Sequence, residues 1–150
     1  TLVGQNLGAK QPDRAEKSVW ITGYANMIFM GIVGIVMAIF PGFFVRLFIT
    51  DAAVVENGIL ALRTISYGFL FYALGMVLIQ GFNGSGDTVT PTKMNVFIFW
   101  LFEIPLAYLL SIVLDWGLTG ASIAIVTAES SLAVVAYLFF RKGKWKLREV

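Results

Sequence analysis

Between Val19 and Phe40 the chain runs 22 residues without a charge, and between Thr64 and Gly86 it runs another 23. At ~1.5 Å of rise per residue, either run is long enough as a helix to cross a hydrocarbon core about 30 Å thick. Two further apolar stretches hold one charge each, Glu103 and Glu129. Only 13% of the residues are charged and 58% are hydrophobic, whereas a soluble domain carries about 25% charged residues. The spacing therefore predicts four transmembrane helices, about 18–40, 59–82, 95–114 and 118–140, followed by a tail over 141–150. The expected fold class is all-α integral membrane with four antiparallel transmembrane helices. Pro41-Gly42 closes the first span, and only Asp115-Trp116-Gly117 separates the last two, so those two are expected to be antiparallel neighbours.

Charge placement sets an orientation. Four spans put the N-terminal segment, the 84–95 loop and the tail on one side. That side holds Lys10, Arg14, Lys17, Lys93, Arg141, Lys142, Lys144, Lys146 and Arg148, against Arg46 and Arg63 on the other. Cytoplasmic loops carry the excess of Lys and Arg, which predicts cytoplasmic termini. A net charge of +2 could point to nucleic acid, but the basic residues sit at the ends of apolar runs and are not interleaved with aromatics, so membrane anchoring explains them and no nucleic-acid partner is expected. Trp20, Trp116 and Trp145 fall near the expected interfaces, where an indole keeps its ring in the acyl boundary and its N–H in water. With no Cys and no His, thiol chemistry, disulfides and imidazole catalysis are excluded, and no metal cluster, nucleophile–base pair or phosphate loop can be assembled. The expectation is a protein that is not an enzyme and has no cofactor. The first apolar run lacks the cleavage pattern of a signal peptide, and a start at Thr1 instead of Met points to a piece of a longer protein or a trimmed chain.

Two carboxylates lie where they are costly. Glu103 stands 13 residues before Trp116 and Glu129 13 residues after it, which places both roughly 20 Å from that turn, at one depth. An intramembrane carboxylate is a functional candidate by default. Two like charges sharing a cavity do not readily ionise together, so the pair could exchange protons during transport. The plainer reading is that each is neutral and hydrogen-bonded to a neighbouring helix, or faces absent parts of the protein. Pro105, two residues past Glu103, removes a backbone donor and is the candidate kink of span three. Gly31 and Gly34 in span one, and Ala121, Ser122, Ala124, Ala128, Ser131 and Ala133 in span four, are expected to let helices approach closely. Tyr72, Gln80 and Asn95 are polar groups in or at the ends of spans, able to line a cavity or to bond between helices.

Two loop segments carry a family resemblance: Val3-Gly4-Gln5-Asn6-Leu7-Gly8-Ala9 with Pro12, Arg14 and Ala15, and Gln80-Gly81-Phe82-Asn83-Gly84-Ser85-Gly86-Asp87-Thr88 with Pro91 and Asn95. Both resemble the cytoplasmic loops of multidrug and toxic compound extrusion (MATE) transporters. Pro105-Leu106-Ala107-Tyr108, Gly117, Gly120 and Ala128-Glu129-Ser130 follow in the order of the same pattern. The resemblance implies twelve helices in two lobes, with these spans as helices nine to twelve of the C-terminal lobe. It also implies export of cationic or amphipathic small organic molecules by exchange for H+ or Na+, in a bacterial plasma membrane, with the bilayer and the remaining helices as partners. The sodium-coupled branch carries an aspartate where this chain has Tyr72, so the sequence is nearer the DinF-like branch, whose coupling aspartate lies in the first helix. Competing readings are a lipid-linked precursor flippase of the same wider fold, a complete four-helix exporter working as a dimer, and a membrane scaffold that transports nothing.

Overall fold

A computed structural model of the protein describes residues 1–147. Arg148, counted above among the basic residues, and the end of the 141–150 tail lie outside the described residues. A short helix α1 (Leu2–Gly8) leads into α2 (Pro12–Ile39), which opens on Pro12, a residue suited to the first turn because its missing N–H would have no helical partner there. α2 stops at Phe40, and Pro41 opens the six-residue α3 (Pro41–Arg46). Asp51 then caps α4 (Ala52–Tyr67), its side chain accepting from the N–H groups of Ala53 and Val54.

The second expected span differs from a straight 59–82 helix. It begins seven residues earlier than 59, at Ala52, and is divided at Gly68 into α4 and α5 (Phe69–Gly84), whose axes bend by 55°. The cause is local. The Ser66 hydroxyl turns back onto the carbonyl of Leu62 at 2.6 Å, the Gly68 N–H closes a tight turn to Ile65, and Gly68 weakens the helix by its backbone freedom. Val126 packs against Gly68, 3.2 Å from where a Cβ would stand.

Asp87 starts the next element by accepting from both the N–H and the hydroxyl of Thr90. Helix α6 (Val89–Val113) is continuous but not uniform. It is π-helical over Val96–Glu103 and again over Leu109–Val113, on either side of an α-helical segment Ile104–Tyr108 that contains Pro105. Pro105 cannot donate to the carbonyl one turn back, and the wider turns flank it. Asp115 and Gly117, both at positive φ (56° and 54°), carry the chain into α7 (Gly117–Arg141). A 3₁₀ turn at Lys144–Leu147 follows.

By length and composition, α2, α6 and α7 could each cross a membrane, and the bent α4–α5 pair makes up to four such segments. α5 sits at the centre of the packing, between α2 and α7, while α4 also touches both. α6 packs along α7 and offers the rest of its surface, Phe97, Trp100, Leu101 and Ile104 among it, to the surroundings. Small residues permit the close approaches: a Cβ on Gly34 would stand 2.9 Å from the carbonyl oxygen of Ser66, and one on Gly120 would stand 2.7 Å from the carbonyl carbon of Leu110.

One end of the bundle is knitted together. Phe140 meets Phe82 edge-on at 5.8 Å and Trp20 at 5.7 Å, and stacks on Trp145 at 4.6 Å. Trp145 was expected to keep its N–H in water. It is instead 1% exposed, and its indole N–H donates to the carbonyl of Phe140 at 3.1 Å, because Gly143 at φ 70° folds the tail back over the end of α7. Trp20 also satisfies its N–H internally, on Glu16 at 3.2 Å, whereas Trp116 remains half exposed. Lys146 then reaches α2, pairing with Glu16 and with Asp13.

That ion pair has a predictable pH window. The bond to Lys146 holds the Glu16 carboxyl below its ordinary value, and the same bond raises Lys146. A depressed acid contributes stability above its unfolded value and loses it as pH falls through its folded one; a raised base contributes below its unfolded value and loses it as pH rises through its folded one. Lys146→Ala is expected to lower stability by up to ~1 kcal/mol near neutral pH, as partly exposed pairs do. In acid, below the folded value of Glu16, thermal melts of variant and parent should converge; a constant gap across pH would show that packing, not charge, holds the tail.

Candidate functional site

Glu129 emerges from α7 beside the bend of the α4–α5 pair. It lines a pocket of about 220 Å³ together with Met30 of α2, Ile65, Gly68, Phe69 and Tyr72 of the bent pair, and Ile125 and Val126 one turn earlier on α7. The carboxylate and the Tyr72 phenol are the polar side chains of an otherwise apolar lining. The bend matters because it ends α4 inside the packed region. The pocket thus lies beside the C-terminus of α4, the negative end of its dipole, although the Ile65, Ser66 and Gly68 carbonyls there accept backbone N–H groups across the bend.

Glu103 sits at the junction where the first π-helical stretch of α6 returns to α-helix. It is half-buried and near enough to Glu129 to act on it electrostatically. It is not among the residues that line the pocket with Tyr72. Thus Glu129 and Tyr72 line one pocket, with Glu103 as an acidic neighbour from the adjacent helix.

The other two sequence candidates lie elsewhere. Gln80 is exposed near the far end of α5, where it accepts from the Asn83 amide at 3.3 Å and borders a separate pocket with Thr1, Ser18 and Thr22. Asn95 stands at the α-to-π transition of α6, about two turns before Glu103. Pro105 occupies the first turn of the α-helical segment that follows Glu103.

Two groups that the sequence did not single out as functional tie α2 to the bent pair. The Asn26 amide donates to the carbonyl of Ala73 at 3.1 Å, and Arg63 donates through Nε to the carbonyl of Ala38 at 3.2 Å, near the end of α2. Asn26 carried a signal, being an amide inside an uncharged 19–40 run. Along the outer face of the same pair of helices runs an open apolar groove of about 740 Å³ bordered by Tyr24, Met27, Gly31, Ser66, Tyr67 and Leu70. Among the described residues no group of three or more acids could hold a metal ion together.

Comparison with known proteins follows these features. The sequence model of the MatE family matches residues 1–109. The chain is 26% identical over 150 residues to the probable multidrug resistance protein NorM of Thermotoga maritima, an alignment covering 100% of this chain and 32% of that protein. It is 21% identical over 149 residues to the probable multidrug resistance protein YoeA of Bacillus subtilis, covering 99% of this chain and 32% of the relative. A third relative, the probable multidrug resistance protein YpnP of Bacillus subtilis, is 26% identical over 146 residues, 97% of this chain and 32% of that protein. The chain therefore spans about a third of the length of the curated relatives it matches. No solved structure matches it.

Proposed function

The chain belongs to the MatE family, and from that premise we propose that it forms part of a secondary active exporter, a transporter and not an enzyme, that moves cationic or amphipathic small molecules out of a bacterial cell in exchange for H+ or Na+. The names of the relatives, probable multidrug resistance proteins, support efflux as the general activity. The four apolar segments cross the membrane antiparallel, with both termini in the cytoplasm, as helices nine to twelve of a twelve-helix, two-lobe protein. The excess of Lys and Arg at one end of the bundle favours that orientation. Tyr72 at the position of an acid in the sodium-coupled branch favours a DinF-like relative.

The observation that carries the coupling role is Glu129 sharing an apolar pocket with Tyr72 beside a broken helix, with Glu103 close by. A carboxylate held in an apolar pocket changes protonation or cation occupancy when water reaches it, and a helix C-terminus favours positive charge there. Broken helices at mid-membrane serve transporters in this way. The experiment is reconstitution of the full-length protein in vesicles under an imposed H+ or Na+ gradient. Addition of an organic cation such as ethidium should dissipate one gradient, and the gradient should drive ethidium against its concentration. Ethidium movement that is indifferent to both gradients would reject coupling, and no movement of ethidium or other organic cations would reject export.

A further inference from the structure

At the knitted end of the bundle, cations and aromatic rings are arranged in two levels. Trp20 bridges α2 and α7, 5.8 Å from Tyr137 and 6.2 Å from Tyr24. Tyr24, Tyr137 and Phe139 are all exposed. One helical turn further out stand Lys17 on α2 and Arg141 on α7. Lys142 lies with its ammonium 4.7 Å over the ring of Phe139. Rings at the acyl boundary with cations a turn beyond them match the depths of a phospholipid's upper chains and its phosphate.

The ion pairs of the tail sharpen this surface. Asp13 and Glu16 are the carboxylates at the start of α2, and both are engaged by Lys146. Asp87, in the neighbouring loop, is bonded to Thr90. No ion pair among the described residues engages Arg14, Lys17, Arg141, Lys142 or Lys144, and all five are exposed. Lys146 offsets one of the two charges of Asp13 and Glu16, and Arg141 stands near enough to Glu16 to act on it as well, so the rim keeps an excess of basic side chains above the aromatic rings without being wholly uncompensated.

We propose that the ledge formed by Trp20, Tyr24 and Tyr137 under Lys17 and Arg141 is a binding site for an anionic phospholipid, its phosphate between the ends of α2 and α7 and its chains along the rings. Charge complementarity selects this occupant. A zwitterionic lipid would bring a cationic group to a surface that already presents Lys17 and Arg141, whereas a lipid with two phosphates could meet both helix ends at once. The site holds whichever solute the protein moves, since no residue of the Glu129 pocket takes part.

The test uses the full-length protein in detergent, with lipid retention read by native mass spectrometry. Cardiolipin should be retained at least about fivefold over phosphatidylcholine, the preference expected from one or two cations near the lipid surface. The preference should fall toward unity in the Lys17→Gln/Arg141→Gln variant and persist in the charge-preserving Lys17→Arg/Arg141→Lys variant. A control with the same loss of charge elsewhere, Arg46→Gln/Lys93→Gln, should keep it. Inorganic phosphate should not displace the bound lipid, because it lacks the chains that contact the rings. Equal retention of both lipids by the parent protein, equal loss in the control and site variants, or displacement by phosphate alone would overturn the assignment.

Discussion

Glu129→Gln in the full-length protein is expected to cut gradient-driven efflux by at least about tenfold, equivalent to about 1.4 kcal/mol on the coupled step, while membrane insertion and thermal stability stay near those of the parent. The amide keeps the shape and hydrogen-bonding ability of the carboxylate but cannot ionise. It therefore separates a coupling role from a purely structural one. In the pocket with Tyr72, Phe69 and Ile125, an ionisable group can alternate between a proton or cation partner and none; a glutamine cannot. Two accompanying results would identify coupling as the lost step. Downhill exchange of labelled for unlabelled substrate should survive in Glu129→Gln, and Glu129→Asp should restore part of the pH or sodium dependence. Glu103→Gln should give a smaller loss, since Glu103 bears on Glu129 from the adjacent helix without lining its pocket. Parent-like, gradient-dependent efflux in Glu129→Gln would remove this residue from the mechanism.

That long helices occupy the apolar runs was legible in the sequence, because uncharged runs of about twenty residues have few alternatives in a bilayer. The 117–141 helix differs from the expected 118–140 by one residue at each end, whereas the first and third long helices begin at Pro12 and Val89, six residues before the expected 18 and 95, since polar and charged residues continue the helices beyond the apolar runs. The bend at Gly68 was not legible. Ser66 and Gly68 lie in an unbroken apolar stretch, and glycine is frequent in membrane helices that do not bend. What decides is tertiary: Val126 fits against Gly68, and α2 comes against Ser66 through Gly34. The spacing of Glu103 and Glu129 about Trp116 leads to the expectation of a shared depth, but does not say which way either side chain faces. Facing depends on helix rotation, and the π-helical stretches of α6 change that rotation relative to an ideal 3.6-residue period. Trp145 illustrates the same limit, since composition assigned it to the interface and the turn at Gly143 buried it.

The close approach of α6 and α7 leads to the second large effect, and here two glycines of similar appearance should respond with opposite sign. A Cβ on Gly120 would stand 2.7 Å from both the carbonyl carbon and oxygen of Leu110 and 2.9 Å from the nitrogen of Ser111. These are backbone atoms, so no rotamer change relieves the overlap, and the two helices must separate. Overpacking of this kind costs about 1–3 kcal/mol, more than the ~1 kcal/mol that alanine gains over glycine within a helix. Gly120→Ala is therefore expected to lower the melting temperature and the yield of folded full-length protein. At Gly23 the new methyl would meet only the side chains of Leu74 and Val77, at 3.6 and 3.8 Å, which is ordinary contact. Gly23→Ala should then be neutral or slightly stabilising. Thermal melts of the two variants in one detergent decide the matter. If Gly120→Ala melted at or above Gly23→Ala, the packing of α6 against α7, and with it the route by which Glu103 approaches Glu129, would be wrong.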